Sequence, residues 1–136
     1  MTEVLREKII TMLLDLPEQI CEQQMAMFPD EQILLELKTV TIPEAERSLK
    51  KVEQSVLAVA MSAGLLEGKN QQIRDIQAAT VLGESPEYQA ATAALTELGT
   101  EASCLEVSLA LEAIDLQFLK NSLRAVEAVA RMYSST

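Results

Sequence analysis

The chain contains no histidine and no tryptophan, and only two tyrosines and two phenylalanines. Without imidazole it has no side chain that titrates near neutral pH unaided, no Ser-His nucleophile and no His-containing zinc or di-iron motif. Glycine and proline are scarce at four each, and Gly64-x-x-x-Gly68-Lys69 lacks the preceding strand and the remaining positions of a phosphate-binding loop. The two cysteines, Cys21 and Cys104, form no Cys-x-x-Cys pair and lie within apolar helical patterns, so they are expected as buried free thiols. Long apolar runs are missing too. Glu3, Arg6, Glu7 and Lys8 interrupt any signal peptide, and the longest uncharged apolar window, Gln54 to Leu66, is too short to span a bilayer. A cytoplasmic protein with no membrane contact is expected.

Positive charge is in short supply as well. Eleven basic residues against 21 acidic ones leave a net charge of −10, which disfavours a phosphate-rich partner, because such binding rests on Lys and Arg displacing counterions. Residues 1–42 and 84–136 each carry 8 acidic and 3 basic side chains, while residues 43–83 carry 5 of each. A nucleic acid would therefore be met only by the strip Arg47, Lys50, Lys51, Lys69 and Arg74. Pairing of these cations with an acidic neighbouring helix is the preferred role.

What the chain has in abundance is Ala, Leu, Val, Glu and Gln, a helix-forming composition, with 49% hydrophobic residues over 136 positions. One all-helical domain is expected. Its spine is Ser85 to Tyr133, a helix starting at Ser85-Pro86-Glu87 and apolar on more of its circumference around Cys104 to Leu119 than one neighbour can cover. Ahead of it, Thr41-Ile42-Pro43-Glu44 has the form of a capping box. It opens a ladder Ala45, Leu49, Val52, Val56, Val59, Ala63, Leu66, Asn70, Ile73 that ends at Gly83. Asn70 on that ladder is read as a residue that fixes register.

The N-terminal segment 1–42 is expected as an arm and linker. Thr2 caps a helix whose stripe runs Leu5, Ile9, Met12, Leu13, Leu16, Ile20, Met27. Pro17 predicts a kink or break, Pro29-Asp30 an end, and the β-branched Lys38-Thr39-Val40-Thr41-Ile42 an extended connector.

The three residues at 83–85 predict that the helices 43–83 and 84–136 form a long antiparallel hairpin. Residue i would face 168 − i, setting Ile73 by Leu95 and Leu49 by Leu119. Small residues meet in that register, and Gly64, Gly68 and Gly99 are read as points of close helix packing, with a hinge at the same glycines as the alternative. Helices of about 40 and 48 residues would be about 60 and 72 Å long at 1.5 Å per residue, too long for the arm to cover in full; the arm is expected at the far end, where Val126, Val129 and Tyr133 run past the start of the first long helix. Val107, Leu111, Ile114 and Phe118, on the flank opposite the seam, are then left for a second copy of the chain. The N-terminal arm would help complete an oligomeric helical bundle, a dimer or larger.

No catalytic residues, metal ligands or cofactor-binding residues emerge. Glu18/Glu22 and Glu97/Glu101 each share a helix face, but the Glu-x-x-His pattern of di-iron bundles is absent, and pairing of Glu97 and Glu101 with Lys69 and Arg74 is expected instead. Glu112 is the one acid set among apolar neighbours, either at a bundle edge or buried.

At Gly68-Lys69-Asn70 followed by Arg74, and then Ser85-Pro86-Glu87-Tyr88, the chain resembles small helical-hairpin proteins of phages and prophage-like elements. In those proteins a Gly-Lys-Asn…Arg segment leads into a Pro-Glu-Tyr helix start. The resemblance covers about residues 43–133. It implies an accessory protein of a mobile element, with no catalytic residues to carry over. The reading that follows is a non-enzymatic oligomerisation or adaptor protein. The alternative is an accessory factor of single-stranded-DNA recombination acting through the basic strip.

Overall fold

The computed structural model describes residues 2–134. It is 92% helical, with no strand among the described residues. Helix α1 spans Glu3–Glu36, a π-helical turn spans Leu37–Thr41, α2 spans Ile42–Ser62, α3 spans Gln71–Glu84 and α4 spans Pro86–Ser134. Two of the predicted starts are in place. The Thr2 hydroxyl accepts from the Leu5 amide at 3.3 Å, and the Ser85 hydroxyl accepts from the Tyr88 amide at 3.3 Å, each satisfying a first-turn donor.

For the N-terminal third, a break at Pro17, the helix end at Pro29-Asp30 and the extended connector are overturned. α1, the π turn and α2 run on without a break as 60 residues of helix. Pro17 and Pro29 both lie inside α1. Both rings are on exposed positions, where the carbonyl left unpaired four residues earlier can be hydrated, so each proline removes one hydrogen bond without ending the helix. Residues 38–42 are helical rather than extended. Thr41 has helical backbone angles and makes no side-chain cap, so the capping-box pattern is passed over in favour of continuation.

The π turn has an identifiable cause. On α1 and at the first residue of the π turn the protected positions are Ile9, Leu13, Leu16, Ile20, Gln23, Met27, Asp30, Leu34 and Leu37, all buried or half-buried, in an unbroken alternation of three and four. Carried past Leu37, that alternation would turn Thr41, Glu44, Ser48, Lys51 and Ser55 inward. The sequence places its apolar residues one position later, at Ala45, Leu49, Val52 and Val56, and these are the half-buried ones while Glu44, Ser48, Lys51 and Ser55 are exposed. One surplus residue must be absorbed between the two stretches. The π turn absorbs it, with the Ile42 amide donating to the Leu37 carbonyl five residues back.

Helix does not continue from 43 to 83. α2 stops at Ser62 with a glycine cap: Gly64 has φ +76°, its amide donates to the Met61 carbonyl, and the Leu65 amide donates to that of Ala60. This crossed pair of bonds is the Schellman arrangement, and the left-handed residue it needs is supplied by Gly64. Asn70 then caps α3, its side-chain oxygen accepting from the Ile73 amide at 2.9 Å. It therefore starts a helix and does not hold a seam position. α3 ends at Glu84, one residue past Gly83, and only Ser85, in an extended conformation, separates it from α4.

The chain divides into two compact units, residues 1–34 with 104–136, and residues 35–103. In the first, α1 packs against the C-terminal part of α4 around Ile9, Leu16 and Val126, with Leu13, Leu119, Leu123 and Ala130 against them. The Gln23 amide donates to the Glu112 carbonyl at 3.3 Å. The helices are therefore antiparallel, and 23 and 112 sum to the same 135 as Ile9 with Val126 and Leu16 with Leu119. The register of 168 − i, which gave Leu119 to Leu49, is overturned, because Leu119 packs in the α1 cluster. In the second unit the buried residues are Leu37 of the π turn, Ala60 of α2 and Ala102 of α4.

Deleting Thr39 should convert the π turn to ordinary helix while leaving both apolar stretches in phase. Its thermal midpoint by circular dichroism is expected within a few degrees of the parent. Deleting Gln19, equally exposed in α1, misphases every residue before it and should lower the midpoint by about 10 °C or more. Equal losses from the two deletions would refute the phase argument.

Candidate functional site

The protected face of α4 is a single ladder: Tyr88, Ala91, Leu95, Leu98, Ala102, Leu105, Leu109, Glu112, Leu116, Leu119, Leu123, Val126 and Ala130 are all buried or half-buried. The spacing alternates three and four without a slip, the pattern of knobs-into-holes packing. Glu112 is its only charged member. In the first unit it lies level with Gln23, which with Asp30 is one of two polar positions of the facing ladder, and its Oε2 is buried without a hydrogen-bond partner. Gln23 serves the Glu112 main chain and leaves this carboxylate oxygen unsatisfied. The acid is half-buried in the seam and makes no ion pair among the described residues.

Two positions beyond each rung of that ladder, about 200° around the helix at 3.6 residues per turn, lies a second stripe. Val107, Leu111, Ile114 and Phe118 are 61–68% exposed and follow the same three-four alternation. Four consecutive large apolar rungs left open on one helix form the kind of patch that marks an interaction surface. Helix α1 contributes further exposed apolar residues in the same unit, Ile10, Leu14, Met25 and Phe28, but that row is interrupted by Pro17 and Gln24. The α4 row is the continuous one.

Cys21 and Cys104 are free and exposed, not buried as expected. Each sits one residue from a protected rung, Cys21 after Ile20 and Cys104 before Leu105, and so turns outward.

Close helix packing at the glycines resolves into three different situations. Gly64 is the positive-φ cap described above. At Gly68 an added Cβ would come within 2.6 Å of the Ile73 side chain, and the Gly68 amide donates to Gln77 Oε1 at 3.0 Å; this close approach is to α3 and belongs to the loop. At Gly99 a Cβ would meet nothing within 4 Å, so no close packing occurs there within the chain.

Arg47, Lys50 and Lys51 are exposed on α2, whereas Lys69 lies in the loop and Arg74 in the first turn of α3. The strip is therefore split: twelve residues, about 18 Å of helix, separate Lys50 from the end of α2. The pairing expected with Glu97 and Glu101 is not formed; Arg74 donates to Gln71 at 3.3 Å. Among the described residues no three of Cys, Asp and Glu converge into a group able to hold a metal ion, and no helix is long and apolar enough to cross a membrane.

One feature gave no signal in the sequence. Within the second unit a groove of about 550 Å³ is lined by Val56, Val59, Ala63, Leu65 and Val81, with Glu84 and Glu87 also on its wall. It exists because Gly64 turns the chain back after α2, a geometry that apolar periodicity does not report. No family model matches the chain, and neither a curated protein nor a solved structure matches it.

Replacing Glu112 by Leu should raise the stability of the chain by about 1–3 kcal/mol, the cost of a buried polar group left unsatisfied. The Gln23 bond to the main chain survives that change. The measurement is the urea midpoint at unchanged slope, and a lower midpoint would show that Glu112 has a stabilising partner.

Proposed function

We propose that this chain is a non-enzymatic, self-associating helical protein, an adaptor or assembly factor whose working surface is the outer stripe of α4. The observation that carries this reading is the outer stripe itself: Val107, Leu111, Ile114 and Phe118 are 61–68% exposed, four large apolar side chains in one continuous row, the kind of patch that marks an interaction surface. Among the described residues no side chain is fully buried, so each protected ladder has one covered edge and water on its flanks. A second copy brings the outer stripe under cover and deepens the core at the same time. Exposed free thiols at Cys21 and Cys104 suit a reducing compartment and support a cytoplasmic setting. The likeness to phage and prophage hairpin proteins adds a mobile-element context to the same reading.

The alternative, an accessory factor for single-stranded DNA, is favoured by one observation: Arg47, Lys50, Lys51, Lys69 and Arg74 are all exposed. Against it stand the net charge of −10 and the split of the strip into two groups.

Native mass by sedimentation equilibrium, across a hundredfold range of concentration, is expected to be that of a dimer or larger. Leu111→Asp with Ile114→Asp should return it to the monomer mass without loss of helix. A parent that is monomeric throughout would overturn the proposal. Binding of a labelled oligo-deoxythymidine is expected to be absent. Binding that weakens steeply with salt and is lost on Lys50→Glu with Lys51→Glu would instead select the alternative.

A further inference from the structure

We infer that the second copy docks antiparallel, α4 against α4, about a two-fold axis passing between Leu111 and Ile114. This inference rests on the self-association proposed above and adds its orientation. The outer stripe reads Val107, Leu111, Ile114, Phe118, and it is complementary to its own reverse. When residue i meets residue 225 − i of the partner copy, Val107 meets Phe118 and Leu111 meets Ile114, in both directions.

That arrangement is isologous and closed, as the symmetry of a dimer requires. The outer layers pair Phe118 with Val107, a large ring over a small side chain, and the central layers pair the isomeric Leu111 and Ile114, so total volume stays even along the stripe. A parallel dimer would stack Phe118 on Phe118 and Val107 on Val107, an over-filled layer at one end and an under-filled one at the other. The dipoles of the two α4 helices attract in the antiparallel arrangement and repel in the parallel one. The antiparallel flanks are compatible as well. Ser108 comes beside Asp115, a hydroxyl that can donate to a carboxylate, and Ser103 beside Arg124, so no like charges meet. Val107, Leu111, Ile114, Asp115 and Phe118 are exposed and Ser108 is half-buried, and all six lie in the first compact unit.

The chain carries its own reporter of this geometry. Cys104 is a free, exposed thiol on the next rung of the outer stripe, three residues before Val107. In the antiparallel register its counterpart is Asn121, also exposed, whose side-chain oxygen accepts from Gln117 on the same helix. In a parallel register its counterpart is Cys104 of the other copy. Helices packed about 8–10 Å apart bring such facing positions within disulfide reach.

The test uses the full-length chain with Cys21→Ser, with and without Asn121→Cys, oxidised in air at a concentration where sedimentation shows the dimer. The expected result is a covalent dimer that forms about tenfold faster or more when Asn121→Cys is present, given the steep distance requirement of the bond. Peptide mapping should locate the link between positions 104 and 121. A dimer that crosslinks equally fast through Cys104 alone is parallel, and a dimer that crosslinks in neither variant associates through another face such as the α1 row. Either outcome overturns the inference while leaving self-association in place. A monomer at every concentration removes both.

Discussion

The constraint on which the structure depends is the unbroken three-four ladder of α4. Thirteen rungs from Tyr88 to Ala130 keep one phase, so whatever packs on them must present a face that also keeps phase. α1 does so from Ile9 to Leu34, and Leu37 at the start of the π turn keeps the same phase. The chain then contains one residue more than the alternation allows, and a helix has few ways to absorb it: break, overwind or widen by one residue. It widens, at Leu37–Thr41, because breaking would forfeit several backbone hydrogen bonds whereas a single π turn keeps them at poorer geometry. The cost of the wider turn is set against turning Glu44, Ser48 and Lys51 inward for the whole length of α2.

Much of this was legible. The α1 stripe at Ile9, Leu13, Leu16, Ile20 and Met27, the caps at Thr2 and Ser85, and the outward flank Val107, Leu111, Ile114 and Phe118 follow from periodicity and cap chemistry, whereas Leu5 and Met12, read into the same stripe, are exposed. The partner of α4 followed only at its far end, where helix length puts the arm by Val126 and the arm packs there; along the rest it did not, because periodicity assigns a face and not its neighbour. Leu49, Val52 and Val56 form as good a ladder as Ile9, Leu13 and Leu16, and only chain continuity separates them. The stretch Lys38 to Ile42 misleads through local propensity: β-branched residues favour extended backbone by a few tenths of a kcal/mol each, which continuation of a packed helix on both sides outweighs. Its real signal, the one-residue shift between two ladders, appears only when both ladders are written in one phase.

Asn70 and Gly64 show how a residue's role changes with helix bounds. While the helix is taken to run from 43 to 83, Asn70 is a polar seam residue and Gly64 a small packing residue. Once α2 ends at Ser62, the same two become the cap that starts α3 and the left-handed residue that closes α2. Each was visible as a helix signal in its own right, with Asn three residues before Ile73 and Gly after an apolar turn. The apparent continuity of the ladder overrode both, which is why the groove behind Leu65 and Val81 was also out of view.

Around residues 111–114 the usual arrangement of a surface helix is inverted. Glu112 faces the seam, with a carboxylate oxygen buried and unsatisfied, while Leu111 and Ile114 face outward. For an isolated chain this is costly on both sides: polar inward costs about 1–3 kcal/mol, and apolar outward forgoes the burial of two large side chains. The inversion makes physical sense if the outward face is the inner face of something larger. A polar position in the seam then does what a lone polar rung does in other helical bundles, trading stability for a single register. Gln23, level with Glu112 across the seam, marks the layer where that register is set. The outer stripe is centred on the same two turns, so under the proposed self-association one register within the chain would fix where a second copy docks.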